Sequence, residues 1–196
     1  HPIGEAEGVA VASTALALNA SLLEPDKHYT AFFYGREGDY GLYAALEDQP
    51  EPASGRALLR VFNSAPDAGN VDVYLTKSDA SLDNVTPTVA NVAAAMLSDY
   101  IQVDRGTWRL RVTGRGDPRD VRLDVAAFEL ADRARTTLAL QPGLSGVLVH
   151  ALVSQYQGAL ATLRNTQARV RLAAGVGSGA AVSASVASRP PPRCSG

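Results

Sequence analysis

The sequence has one cysteine, Cys194, near its C-terminal end. An intrachain disulfide and a cysteine-based metal site are therefore excluded, and the fold must rest on its core. Lysine occurs only at Lys27 and Lys77, and arginine supplies the rest of the positive charge. The formal net charge is −2. A balance so near zero gives neither the basic footprint of a nucleic-acid binder nor a general pull toward anionic membranes. No run of about 18 apolar residues is present, so no membrane-spanning helix is expected. No signal peptide is legible, and the first residue is His1 instead of Met, as in a piece of a longer protein.

What the chain does contain is a copy of itself. Leu23–Thr30 lies over Leu130–Thr137, and Arg56–Val61 lies over Gln167–Leu172, in the same order and offset by 107 and 111 residues. A period near 110 residues is one domain, of a size that suits a single all-β sandwich. The hydrophobic share of 46% is ordinary for a globular chain.

The periodicity is two. In Thr107–Thr113 the residues Trp108, Leu110 and Val112 fall on one face, and Arg109 and Arg111 on the other. Asp120–Val125 and Val71–Leu75 alternate in the same way, as strands with one wet face do. Gly146–Leu152 is apolar on both faces and reads as a central strand. Turn residues separate these runs at 66–70, 104–106 and 114–118, the last as a hairpin-like loop. Ala90–Leu97 has helical propensity but fits a short strand plus loop. The fold expected is all-β, an antiparallel immunoglobulin-like β-sandwich in tandem repeat. Residues 1–54 would be the C-terminal part of a first repeat, with its last two strands at 29–34 and 40–46. Residues 55–164 would be a complete repeat, 165–188 the opening strands of a further one, and 189–196 a disordered tail.

The stretch Asn63-Ser-Ala-Pro-Asp-Ala-Gly-Asn-Val-Asp-Val-Tyr-Leu-Thr76 resembles the hallmark of a bacterial family, domain-of-unknown-function family 4397. The hallmark residues are Ser64, Pro66, Asp67, Val71, Asp72, Val73 and Tyr74. Ser98–Ile101, Asp104–Val112 and Lys27–Gly35 add to the likeness. The resemblance implies tandem immunoglobulin-like sandwiches in exported, often lipid-anchored envelope proteins, hence an extracytoplasmic location. It carries over no catalytic residues.

Each candidate for chemistry has a plainer reading. Gly175-Val-Gly177-Ser-Gly179-Ala180 fits a dinucleotide fingerprint, but the acidic residue needed about 20 positions on is absent, so a flexible turn is expected. Arg115-Gly116-Asp117 is the tripeptide that integrins read, here on a hairpin tip, and is equally ordinary turn chemistry. His28 and His150 lack a nucleophile elbow, and two histidines without clustered carboxylates or thiolates make a poor zinc site. Asp67 and Asp72 flank a turn but are too few for the oxygen ligands calcium takes. Asp67 is expected in an Asx-type turn and Asp72 facing solvent. Asn19-Ala-Ser21 and Asn84-Val-Thr86 are sequons, relevant only in a eukaryotic secretory route. The aromatic cluster Tyr29, Phe32, Phe33, Tyr34, Tyr40 and Tyr43 reads as core, with part left exposed if its sandwich is incomplete.

The function expected is a non-catalytic extracytoplasmic module, with no cofactor and no metal, structural or ligand-presenting in a cell envelope. The alternative is a protein- or glycan-binding adhesion module using loops 63–70 and 114–118. Their lack of aromatic residues favours a protein partner. A hydrolase comes third. The fragment's open strand edges predict head-to-tail association, with residues 1–54 of one chain completing 165–188 of the next.

Overall fold

Alternating apolar runs, punctuated by turns, build eleven strands among the described residues of the computed structural model, which are 23–36, 39–143, 146–158 and 160–167. In chain order these are β1 Tyr29–Arg36, β2 Asp39–Leu46, β3 Arg56–Asn63, β4 Val71–Thr76, β5 Val89–Val92, β6 Ile101–Asp104, β7 Gly106–Gly114, β8 Asp117–Leu130, β9 Arg135–Pro142, β10 Val149–Gln155 and β11 Leu160–Leu163. The only helical element among them is a 3-10 turn, Pro66–Ala68.

A five-stranded sheet, β11-β10-β9-β3-β6, faces a four-stranded one, β5-β4-β7-β8. Apolar residues from the inner faces of both sheets fill the space between them. Ala57, Leu59 and Val61 of β3, Leu138 and Leu140 of β9, and Val149, Ala151 and Val153 of β10 form one wall. Val71 and Val73 of β4, Leu110 and Val112 of β7, and Leu123, Phe128 and Leu130 of β8 form the other. This is the all-β sandwich that the alternation predicts. Val89–Val92 is the short strand expected within 90–97, and β10 lies inside its sheet, between β9 and β11.

One pairing departs from the expected antiparallel plan. β3 and β9 run parallel, with Leu58 opposite Arg135 and Asn63 opposite Leu140. Both strands enter their sheet at the same end. Gly55 N–H donates to Asp132 Oδ1 at 2.6 Å, and Arg133 N–H donates to Arg56 O at 2.7 Å. β9 arrives there from the opposite sheet through the short 131–134 link, so its direction is fixed by that crossing and not by a hairpin.

The hairpin β1–β2 forms a third layer. Phe32, Tyr34, Tyr43 and Ala45 pack on the outer face of the five-stranded sheet, around Phe62 and Ala139. Phe62 is fully buried, with the rings of Phe32, Tyr34 and Tyr43 centred 5.1, 5.2 and 5.4 Å away. Tyr34 lies across Gly41 on the neighbouring strand, where any Cβ would collide with its ring. The aromatic cluster thus divides. Phe32 is buried, with Tyr34 and Tyr43 half-buried against the same cluster, while Phe33 is 64% exposed and stacks on Tyr40 at 5.2 Å.

A buried ionic clamp fastens this layer. Arg60 stands on the outer face of β3, where alternation alone would put it in water. Its Nη2 instead donates to Glu47 Oε1, its Nε to Thr137 Oγ1 at 2.8 Å, and its Nη1 to Leu46 O at 3.3 Å. Glu47 also accepts from Thr30 Oγ1 at 2.7 Å and from the Tyr100 hydroxyl at 2.9 Å. The Arg60 guanidinium sits 4.3 Å from the Tyr100 ring centroid. Only 4% and 5% of the Arg60 and Glu47 side chains reach solvent. Burial pushes the Tyr100 hydroxyl up to about 12, against the lowering effect of Arg60.

Candidate interaction surface at one end of the sandwich

The turn after β3 must carry the chain from one sheet to the other, and its polar residues decide how rigidly. Asn63, the last residue of β3, is fully buried. Its side-chain amide donates to Gly69 O at 2.7 Å and to Val92 O at 3.1 Å, and its Oδ1 accepts from Ala65 N at 3.3 Å. Its backbone exchanges two further bonds, from its N–H to Met96 O and from Ala95 N–H to its carbonyl. One asparagine thereby ties together the 66–70 turn, the end of β5 and the 93–97 loop. Buried amides of this kind are held by full satisfaction of their donors and acceptors.

Asp72 performs the same task from the other sheet. It is 4% exposed, not solvent-facing as its alternation suggested. One carboxylate oxygen accepts from Asn91 N–H at 2.7 Å and the other from Gly116 N–H at 2.8 Å. Both oxygens are thus engaged by backbone, an arrangement that serves loop positioning and leaves little for a calcium ion. Arg115 N–H donates to Asn70 O at 3.1 Å, and Asn70 Nδ2 to Asn91 Oδ1 at 2.8 Å. The β7–β8 hairpin turns over Arg115 and Gly116, the latter at φ +69°, where glycine carries no side-chain penalty.

The rest of the hallmark is packing. Ser64 Oγ donates to Leu140 O at 2.5 Å, and Pro66 opens the 3-10 turn whose first turn holds the exposed Asp67. Val71 and Val73 are core. Tyr74 is buried on the outer face, and that burial, with Asp72 nearby, raises its hydroxyl pKa. Arg122, lowered from its ordinary value by burial, reaches from β8 to the Ala68 carbonyl and pairs with Asp120 at 2.6 Å.

The result is a composite end surface. Loops 63–70 and 114–118, chosen separately from sequence, are brought together and joined by the 90–97 loop. Pro66, Asp67, Gly69, Asn91, Met96, Arg115, Gly116, Asp117 and Arg119 are exposed there. Asp117 Oδ1 accepts from Arg119 N–H at 3.0 Å. Met96, 54% exposed, is the large apolar side chain of this end. Sequence reasoning placed Asn63 at the start of the hallmark stretch and Met96 within 90–97, but assigned a role to neither. An asparagine closing an otherwise apolar strand is the signal that points to the first.

The histidines are set apart in role. His150, half-buried, accepts on Nδ1 from Asn165 N–H at 2.8 Å, and Asn165 Nδ2 also donates to Val149 O at 3.0 Å and to Arg122 O, closing β10 against β8. His28 is exposed and meets the edge of Tyr156, with ring centroids 6.2 Å apart. Among the described residues no three acidic, histidine or cysteine side chains gather as a metal site. On the outer face of the four-stranded sheet, Arg109 pairs with Asp124 through bonds of 2.9 and 2.6 Å. The Arg109 hydrogen bonds hold the Asp124 carboxyl below its ordinary value. The glycine motif at 175–180, the sequon at Asn19, residues 168–188 of the expected further repeat and the tail at 189–196 lie outside the described residues.

No curated protein matches the chain. A family model does, over residues 4–74, a segment that holds β1 to β3, the 66–68 turn and the hallmark through Tyr74. Over that segment the chain is similar to the family described as domain of unknown function DUF4397.

Proposed function

We propose that the chain is a non-catalytic module of an extracytoplasmic cell-envelope protein, which presents the Asn63–Asp72 end of its sandwich to a protein partner. The observation that carries this reading is the use of two buried polar side chains to fix three loops to one another. Ordering those loops in advance removes the entropy that a partner would otherwise have to supply on binding. The exposed groups are of mixed charge around one methionine, and an adaptable apolar anchor inside a polar rim suits a protein surface better than a glycan. The location rests on the likeness to exported, lipid-anchored envelope proteins.

The exposed Arg115-Gly116-Asp117 tip favours one variant of the same reading, adhesion to receptors of the integrin type. The test is binding of the purified chain to immobilised integrin ectodomain in manganese, to extracellular matrix proteins and to envelope glycans. Binding to a protein probe that falls at least about tenfold in Met96→Ala, Arg115→Ala or Asp117→Ala supports the reading. Binding indifferent to all three overturns the assignment of this end. Turnover in a hydrolase substrate panel that is lost in His28→Ala or His150→Ala overturns the non-catalytic reading.

A further inference from the structure

The hairpin β1–β2 leaves one strand edge open. Glu47 N–H donates to His28 O at 2.8 Å, one step beyond the 29–46 pair, which makes 28–47 a hydrogen-bonded pair. Along the continuous register, Thr30, Phe32 and Tyr34 then bond to Ala45, Tyr43 and Gly41. The N–H and C=O groups of Tyr29, Ala31, Phe33 and Gly35 point away from β2. No backbone group among the described residues bonds to them. On the far side of the hairpin the outward Leu46 carbonyl accepts from Arg60, and Tyr40, Leu42 and Ala44 are half-buried. The open edge is therefore that of β1, where Ala31 and Phe33 are exposed.

The edges of the two larger sheets are guarded. β5, β6 and β11 close them with four residues each. β8 is long, but its register against β7 breaks, Asp117, Arg119, Asp120, Arg122 and Asp124 charge it, and Asn165 Nδ2 donates to its Arg122 carbonyl. Short strands, charges and irregular register are the devices that keep an edge from pairing. Over Tyr29–Gly35 β1 has none of them. The strand is eight residues long, its register is continuous, and this stretch is uncharged.

The ground beside that edge is uncovered too. β1 lies on the β10 side of the hairpin, since His28 meets Tyr156 beyond β10, while Leu46 and Glu47 are held by Arg60 of β3. Leu152 of β10 packs against the hairpin. Thr162 of β11 stands opposite Leu152, so Leu160, two residues before it, belongs to the same outer face, and it is 68% exposed. The third layer stops short of β11.

We propose that β1 takes up an extended strand of another protein along this edge, as a third strand of the hairpin layer. The strand's backbone bonds to the outward groups of Tyr29, Ala31, Phe33 and Gly35, a span of about 24 Å. Its inner side chains are apolar and cover Leu160, and its outer ones lie beside Phe33. A second copy of the chain fits less well. Its own β1 already covers its own Phe62, so it brings a whole sandwich into the space above β11. A lone strand at about 4.8 Å from β1 brings only itself. The edge is separate from the Asn63–Asp72 end and does not depend on what that end binds.

The test follows amide hydrogen exchange in the full chain with a synthetic heptapeptide of alternating threonine and valine, flanked by lysines for solubility. A copy of the peptide N-methylated at every amide, which can donate no bond, is the control. With about 1 mM of the first peptide we expect the Ala31, Phe33 and Gly35 amides to exchange at least about tenfold more slowly, and with the control not at all more slowly. Phe33→Pro removes an outward donor but no bond inside the hairpin, and should abolish the protection of Ala31 and Gly35. Leu160→Asp leaves the edge intact, should weaken binding at least about tenfold, and carries the test if Phe33→Pro does not fold. Exchange unaffected by the first peptide overturns the proposal, as does equal protection by the methylated copy or unchanged binding in the variants. Protection that appears without peptide and fades on dilution overturns it in favour of a second copy.

Discussion

Glu47→Ala tests the third layer most directly. In the native chain the Glu47 carboxylate accepts from Arg60, Thr30 and Tyr100 while almost wholly buried. Its removal leaves the Arg60 guanidinium beneath the hairpin with Thr137 Oγ1, Leu46 O and the Tyr100 ring, and no counter-charge among those partners. Breaking a buried pair from one side costs about 3–5 kcal/mol, because the surviving charge is uncompensated. The protein has one escape. Arg60 is on the outer face of β3, so lifting the hairpin hydrates it, at the loss of the packing around Phe62. The destabilisation therefore concentrates in β1–β2. A cost of 3–5 kcal/mol is roughly two to three and a half powers of ten in the opening equilibrium. Hydrogen exchange of the cross-strand amides in 29–46 should accelerate by at least about 100-fold. The urea midpoint read from Trp108, which sits in β7 of the opposite sheet, should move much less. The paired change Glu47→Leu with Arg60→Met should recover most of the loss, since an apolar pair of similar volume needs no desolvation. Unchanged exchange in Glu47→Ala would refute the clamp, and a Trp108 transition that falls in step with the hairpin would refute the local escape.

Phe62→Ala should cost about 3–5 kcal/mol in chemical denaturation, because it empties the centre of the ring cluster beneath the hairpin. Asp72→Ala strands the Asn91 and Gly116 amides and should cost about 1–3 kcal/mol. Faster exchange at those two amides, with the sandwich core unaffected, is its signature. Tyr100 titrates higher in the folded protein than in the unfolded chain, so the stability it contributes is complete below pH 10 and is lost as pH rises toward about 12. Alkaline unfolding followed by tyrosinate absorbance should lose this component in Tyr100→Phe. Asp124 has the opposite sign. Its carboxyl is depressed by Arg109, so that contribution is present above the ordinary carboxylate range and fades as pH falls through the folded value. Asp124→Asn should flatten the acid limb of a thermal-stability profile.

Several features were legible before any tertiary structure. Two-residue alternation at 71–75, 107–113 and 120–125 gave β4, β7 and β8 with their inward faces, because a strand's side chains take alternate sides whatever their partners. The turn residues at 114–118 gave a hairpin, since neighbouring strands joined by a tight turn have nowhere else to pair. The parallel pairing of β3 with β9 was not legible, because strands so far apart in sequence share no local signal. Nor was the burial of Arg60 and Asp72. Alternation assigns both to an outer face, but whether an outer face is wet depends on what covers it. A hairpin from residues 29–46 covers Arg60, and the loops that bring the Asn91 and Gly116 amides close over the Asp72 carboxylate.

The candidate surface divides along the same line. Sequence alone determined that the chain turns within 63–70 and within 114–118, because proline, glycine and aspartate fix backbone conformation locally. Only the tertiary structure decided that they form one surface. The bonds from Asn63 and Asp72 run between elements 6 to 44 residues apart along the chain. A hydrogen bond depends on where the fold brings donor and acceptor, and local propensity carries no record of that distance.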